Sequence, residues 1–206
     1  CDIARDGTLV FVTGTSDETA RFGWLDRDGE ITHLDLGLRT FVAFSLSPDG
    51  RFLATPITEG RDTDIWIYEL QRPQTPARVT FGGFHNATAW SSCGRYLLFG
   101  KYEADGSSAF LAKDVRSGAP SFVIHRSDAD GAPLQYHTPS GELLFSSVDT
   151  ERGSDLMGGT IDLSKGDGAT LENIRTVRAT RYGEPFAAIS PDREWIVANS
   201  DETGRW

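Results

Sequence analysis

The residue types that most often carry out chemistry are scattered along this chain. Its four histidines are isolated from one another and are expected at surface or turn positions: His33, His85, His125 and His137. The sequence contains no G-x-S-x-G nucleophile elbow, no phosphate-binding P-loop, and neither the C-x-x-C nor the H-E-x-x-H spacing of zinc sites. We therefore predict a non-catalytic segment with no metal ion and no cofactor.

One acidic stretch, SDADG at 127–131, has two aspartates spaced as at the start of a calcium-binding loop. A calcium loop of that kind also needs a glutamate at its far end, and none follows Asp128 and Asp130 at that distance. The stretch is therefore predicted to be a solvated connection between two structural elements.

The chain is acidic, with a formal net charge of -10 over 206 residues. Such a surface repels phosphate backbones and anionic lipid heads, so we predict no nucleic-acid partner and no membrane contact by this segment. No apolar run approaches the roughly 20 residues that span a bilayer. The two cysteines, Cys1 and Cys93, do not make a disulfide framework. Because the chain does not begin with methionine, we expect a piece of a longer protein, with Cys1 inside a strand.

A glycine-containing turn recurs along the chain and is followed each time by an apolar run. The copies are ARDGTLVFV at 4–12, SPDGRFLAT at 47–55, SSCGRYLLF at 91–99, TPSGELLFS at 138–146 and SPDREWIVA at 190–198. The turn glycines are Gly7, Gly50, Gly94 and Gly141, and Arg193 takes that place in the fifth copy. Glycine suits such turns because it adopts a positive φ without a Cβ clash. The period of about 40 to 50 residues is that of propeller blades.

Each repeat also holds a third and a fourth strand. In DIWIYEL at 64–70, Ile65, Ile67 and Leu70 are predicted mostly on one side, with Trp66 and Tyr68 on the other. Trp24 and Trp90, like Trp66, are expected to pack between repeats rather than to act as binding anchors. ARVTF at 77–81 ends its unit.

The fold class that follows is all-β: a partial β-propeller of four-stranded antiparallel blades, about four to five of a complete set of six or more. We predict approximate blades at 1–40, 41–84, 85–132 and 133–182, with an incomplete one at 183–206. A β-sandwich is the alternative, but it does not require a turn that recurs at this period. An open arc of blades leaves apolar faces exposed at its ends.

The repeat resembles that of TolB-like, WD-like propellers, in which a Ser-Pro-Asp-Gly turn precedes an apolar strand, an Asp-Ile-Trp strand and an Arg-Leu-Thr strand. FSLSPDGRFLA, TDIWIYEL and ARVTF carry this resemblance, which covers essentially the whole chain. AAISPDREWIVANSDETGRW at 187–206 is similar to the last blades of the C-terminal propeller of many bacterial serine/threonine kinases. Cys93, Arg193 and Gly158-Gly159 depart from the repeat.

This resemblance implies a non-catalytic module of a larger bacterial protein, possible parents including a signalling kinase, that binds a protein or peptide or senses a ligand. It also implies a chain continuous with further blades and another domain, in a periplasmic or otherwise extracytoplasmic location. The alternative is the substrate-gating propeller of a prolyl-oligopeptidase-type serine peptidase, because such peptidases contain the same blades.

The first strand of each propeller blade lines the central channel, so the connections leading into it form a rim where side chains are free to contact a ligand. The residues predicted there are Arg39, His85, Asn86, Gln135, Tyr136 and Glu184. The alternative is that these polar side chains only hydrate the channel mouth.

Overall fold

The structure, a computed structural model, describes residues 2–3, 9–13, 21–37, 43–72, 75–137, 140–149, 153–183, 186–190 and 194–202. These residues form eighteen strands and one short 3₁₀ helix. Recurring glycine turns and alternating apolar residues favour hairpins rather than helices, as the sequence predicts. We number the successive units I to V along the chain; units I to IV have four strands each and unit V has two.

Strand bounds follow the repeat closely. Unit I contains β1 (Asp2–Ile3), β2 (Leu9–Thr13), β3 (Arg21–Leu25) and β4 (Ile31–His33). Unit II contains β5 (Ser45–Leu46), β6 (Phe52–Glu59), β7 (Asp62–Glu69) and β8 (Ala77–Arg78). Unit III contains β9 (Phe84–Trp90), β10 (Tyr96–Tyr102), β11 (Ser108–Asp114) and β12 (Phe122–Ser127). Unit IV contains β13 (Gly131–His137), β14 (Glu142–Asp149), β15 (Gly153–Thr160), helix η1 (Leu163–Gly168) and β16 (Glu172–Arg178), and unit V contains β17 (Ala187–Ile189) and β18 (Ile196–Ala198).

Within every unit the strands pair antiparallel in chain order. Units II and III form one continuous sheet because Thr63 in β7 pairs in parallel with Phe84 at the start of β9. Units III and IV also touch, through a parallel bridge between Ser91, directly after β9, and Tyr136 in β13. The predicted partial propeller of four-stranded antiparallel blades is therefore confirmed. Two strands begin just before the predicted blade limits, β9 at Phe84 and β13 at Gly131.

The recurring turns share one backbone conformation. Gly50, Gly94 and Gly141 have φ values of 69°, 66° and 68°, in the left-handed region that favours glycine. In the second copy the Ser47 hydroxyl donates to Asp49, and Asp49 in turn accepts the Arg51 N–H. Gly7 and Arg193 lie outside the described residues.

Apolar side chains fill the spaces between successive sheets. Between units I and II, Trp66 and Tyr68 pack with Phe22 and Trp24, while Ile65 and Ile67 face the next sheet. Leu70 packs on the side of Trp66, not with the two isoleucines as predicted, because strict alternation puts it on the even-numbered face. The core between units II and III is formed by Ala54, Ile65, Trp90, Leu97 and Phe99.

The core between units III and IV is larger and reaches η1 through Leu163. Its members include Leu98, Phe110, Ile124, Leu143 and Phe145. The aromatic residues Trp24, Trp66 and Trp90 pack between units as predicted.

Two features of the last units depart from the average blade. In β15 the Gly158-Gly159 pair allows close packing, since a Cβ on Gly159 would lie 2.8 Å from Leu171 Cδ1. Unit V is a two-stranded sheet whose Trp195 and Val197 are 72% and 70% exposed. This end of the arc therefore exposes apolar side chains, as the sequence predicts.

Candidate functional site

The antiparallel order of the strands places two sets of connections on one face of the arc. Residues 79–83 and 128–130 lead into the first strands of units III and IV, and residues 60–61 and 103–107 join second strands to third strands. We call this face the rim. The turns that contain Gly50, Gly94 and Gly141 lie on the opposite face.

A buried aspartate organises the rim of unit II. Asp64 in β7 is 2% exposed and forms an ion pair with Arg78. Its carboxylate also accepts the Thr80 hydroxyl at 2.8 Å and the Gly82 N–H at 3.3 Å. His85 lies beside it, with Nδ1 3.4 Å from Asp64 Oδ1. One carboxylate thus ties the third strand, the fourth strand and the connection to unit III together.

The titration of these groups follows from their surroundings. Burial alone would raise the pKa of Asp64, but hydrogen bonds from Thr80 and Arg78 outweigh it and hold that pKa below its usual value. Burial lowers the pKa of His85, partly offset by its hydrogen bond to the Thr63 carbonyl. The network is therefore built around a charged aspartate and a neutral histidine.

The connection that follows β8 displays two phenylalanines. Phe81 is 77% exposed and Phe84 is 49% exposed, and Gly82 and Gly83 separate them. Gly83 donates its N–H to Asp62 Oδ1 at 2.9 Å, and its carbonyl accepts the Thr63 N–H at 2.9 Å. Both glycines have positive φ values, 78° and 97°. The carboxylates of Asp62 and Asp64 fix the backbone of this connection.

A second group of side chains adjoins Phe84. The rings of Phe84 and Tyr102 lie with centroids 5.4 Å apart. Burial, together with a hydrogen bond to Asp130, raises the pKa of Tyr102, so this phenol stays protonated. Among the described residues, the buried Oδ1 atoms of Asn86 and Asp130 have no hydrogen-bond partner.

His85 and Asn86 lie together at the start of β9, but in different environments. His85 is 5% exposed and its Nδ1 is 3.1 Å from the Thr63 carbonyl of unit II, so its structural role is to link units II and III. Asn86 projects on the other face of β9, beside Gly100. Ala87, with a φ of 43°, forms the bulge at which the β9–β10 register shifts.

Gln135 and Tyr136 lie farther along the channel than the rim. Asp130 and Gly131 occupy the positions in unit IV that His85 and Asn86 occupy in unit III, as the pairing with the second strand of each unit shows. Gln135 and Tyr136 do not occupy these positions. Gln135 Oε1 accepts the Ile189 N–H at 2.6 Å, joining units IV and V, and Tyr136 is 3% exposed and donates to the Ile161 carbonyl. Both first strands carry one bulge, so Gln135 lies deeper because it follows Asp130 by five residues along the chain. Arg39 and Glu184 lie outside the described residues.

The sequence analysis missed several rim residues. Asp62, Asp64, Phe81 and Tyr102 were not proposed as site residues, although the Phe-Gly-Gly-Phe stretch after β8 was visible in the sequence. Two aromatic residues around a glycine pair at a unit boundary could have indicated an exposed aromatic site. The glycine pair predicts a tight turn, and a residue next to a tight turn has few neighbours to bury it.

A cavity of about 500 Å³ opens on the opposite face, between units III and IV. Cys93, Arg95, Tyr136, Asp162 and Lys165 are among its lining residues. Arg95 is held by Asp114 at 2.8 Å, and the charges around the cavity have both signs. This lining gives no clear preference for one class of ligand.

Two absences hold for the part of the chain that the structure describes. No group of three or more His, Cys, Asp or Glu side chains is placed there to hold a metal ion, and SDADG at 127–131 connects β12 to β13. None of the helical residues described forms a segment long and apolar enough to cross a membrane.

Comparison with known proteins gives the fold. No protein-family model matches the chain, and no curated protein matches it. A putative TolB from Agrobacterium tumefaciens is similar over 97% of this chain and 68% of its own, with a TM-score of 0.73 and 17% identity. TolB from Acinetobacter baumannii covers 84% of this chain and 44% of its own, with a TM-score of 0.64 and 15% identity.

A structure from a study of two prolyl endopeptidases covers 97% of this chain and 32% of its own, with a TM-score of 0.61 and 13% identity. The chain thus spans about a third of that peptidase and less than half of the second TolB. Identities this low speak for architecture alone. The chain therefore has the β-propeller fold, which these structures share.

Proposed function

We propose that this chain is a non-catalytic, protein- or peptide-binding module that contacts its partner through the rim at units II to IV. The observation that carries the proposal is the exposure of Phe81 and Phe84 on a backbone fixed by Asp62 and Asp64. A rigid loop that holds aromatic side chains in water is the usual form of an interaction surface.

Energetic reasoning supports a binding role. Burying a phenylalanine side chain stabilises a complex by roughly 1.5–3 kcal/mol relative to leaving it in water. The connection is also pre-organised by three backbone hydrogen bonds involving Gly82 and Gly83, so little ordering is required when a partner binds. Gly82 and Gly83 themselves carry no side chain that could cover the two phenylalanines, while the Arg78 guanidinium lies 5.2 Å from the centroid of the Phe81 ring and Tyr102 packs against Phe84.

The wider setting that we propose follows the family resemblance. The module belongs to a larger bacterial protein, such as a signalling kinase, and is continuous with further blades and another domain outside the cytoplasm. The exposed side chains of unit V are consistent with further polypeptide packing there.

A second candidate is the substrate-gating propeller of a serine oligopeptidase. The likeness to a prolyl endopeptidase structure over nearly the whole chain favours it. In that case the channel width, and not the rim phenylalanines, would determine what is admitted. The two proposals therefore differ in the effect of removing Phe81 and Phe84.

Selection of a phage-displayed random peptide library on the immobilised chain tests the proposal. Peptides that bind the native chain should lose binding to the F81A/F84A double variant and keep it on I174A, a change at another exposed apolar residue on β16. Peptides that bind all three chains equally would contradict a rim contact. Recovery of no peptide would favour the gating alternative.

A further inference from the structure

We propose that the rim recognises a basic peptide segment. In this proposal the side-chain oxygens of Asn86 and Asp130 accept hydrogen bonds from the cationic group of a Lys or Arg in the peptide. That group lies beside the rings of Phe84 and Tyr102. This inference rests on the proposed peptide-binding function and adds the chemistry of the partner.

Strand register brings Phe84, Tyr102 and Asn86 together, and Gly100 links them to the chain beside Asp130. In the β9–β10 ladder, Phe84 is opposite Tyr102 and Asn86 is opposite Gly100, so Phe84, Tyr102 and Asn86 lie on the same face of the sheet. A Cβ built on Gly100 would lie 2.1 Å from Asn86 Oδ1 and 3.5 Å from the Gly131 carbonyl oxygen. Only glycine leaves room for the asparagine amide at this position, next to the residue that follows Asp130.

The two polar side chains have acceptor atoms to spare. The Oδ1 atoms of Asn86 and Asp130 are both buried without a hydrogen-bond partner among the described residues. An amide oxygen and a carboxylate oxygen can only accept hydrogen bonds, so the unused capacity of both groups is for a donor. Buried acceptors without donors are costly, and a ligand that carries several N–H groups satisfies both.

The aromatic pair favours a cation as that donor. A Lys or Arg head group is attracted to the face of an aromatic ring within about 6 Å of its centroid. Phe84 is 49% exposed, and Tyr102 and Asp130 are only partly buried, so the two rings and the Asp130 side chain are open to the rim. Lys101 lies on the other face of β10 and pairs with Glu103 at 2.9 Å.

The charge of the surrounding rim has the complementary sign. Acidic side chains outnumber basic ones in its connections and at the strand ends that border them. The acids are Glu59, Asp62, Glu103, Asp105, Asp128 and Asp130, and the bases are Arg61, Arg78, Lys101 and Arg126. This field attracts a basic segment and repels an acidic or phosphorylated one.

Two synthetic peptides test the inference on the native chain. The probes are acetyl-Gly-Leu-Arg-Leu-Gly-amide and the same peptide with citrulline, which keeps the shape of arginine without its charge. Fluorescence anisotropy should show the arginine peptide binding about tenfold more tightly, a ratio that shrinks in high salt. The D130N variant should weaken the arginine peptide about fivefold and leave the citrulline peptide unchanged, since only the charged group loses its carboxylate.

A matched control is D167N, which changes an exposed aspartate of η1 on the opposite face and should alter neither affinity. Equal binding of the two peptides would overturn the cationic subsite, while loss of both on F84A would leave the proposed peptide-binding function standing. Equal effects of D130N and D167N would also overturn the inference. If neither peptide binds the native chain, the inference fails, and the library selection decides the proposed function separately.

Discussion

Replacing Asp64 with asparagine should destabilise the chain by about 3 kcal/mol, because one carboxylate holds several groups together. Asp64 is 2% exposed, pairs with Arg78, and accepts hydrogen bonds from Thr80 and Gly82. An asparagine amide still accepts from Thr80 but turns its NH₂ group towards the guanidinium. Breaking a buried ion pair costs about 3–5 kcal/mol, and the 33% exposure of the Arg78 side chain reduces that cost.

Urea unfolding measures this cost, and D114N provides the matched control. Asp114 pairs with Arg95 at 2.8 Å, but the Arg95 side chain is 51% exposed, so this change should cost less than about 1 kcal/mol. The slope of the urea dependence should stay the same in both variants. If D64N costs no more than D114N, the reasoning about the buried network is wrong.

Two further predictions concern a turn and a buried histidine. In urea unfolding, G141A should lower the free energy of unfolding by about 1–3 kcal/mol more than G60A does. Both glycines have a φ of 68°. A Cβ on Gly141 would lie 2.7 Å from the Ile161 carbonyl oxygen, whereas a Cβ on Gly60 would have nothing within 4 Å. Equal costs would show that only the backbone conformation matters. Burial lowers the pKa of His125 below its usual 6.5. As the pH falls, the unfolded chain therefore takes up a proton at this histidine before the folded chain does. The free energy of unfolding consequently decreases as the pH drops below about 6.5. H125F, whose ring would lie between Phe110 and Phe145, should show a smaller loss between about pH 7.5 and 5.5, and an unchanged loss would refute this assignment.

Local residue patterns predicted the architecture well. The positive φ of the recurring turns follows from Gly50, Gly94 and Gly141 themselves, and alternation in DIWIYEL gives the two buried faces of β7. Both signals are local, so they are readable without knowing which strands meet. The burial of Trp66 and Trp90 between units follows from the same alternation.

The rim could be predicted only in part, because contacts between units depend on register. The ladders align His85 with Asp130, so Gln135, five residues later in the chain, lies deeper than the rim. The inward role of His85 depends on Thr63 and Asp64, which belong to another unit. No pattern within one repeat shows such a partner.

Site-specific photo-crosslinking tests the central claim, that the rim is the binding surface, most directly. p-Benzoylphenylalanine would replace Phe84 in one chain and Ile174, on β16, in the other. The account predicts that a peptide from the library selection crosslinks at position 84 and not at position 174. Crosslinking at 174 alone, or equally at both positions, would contradict it.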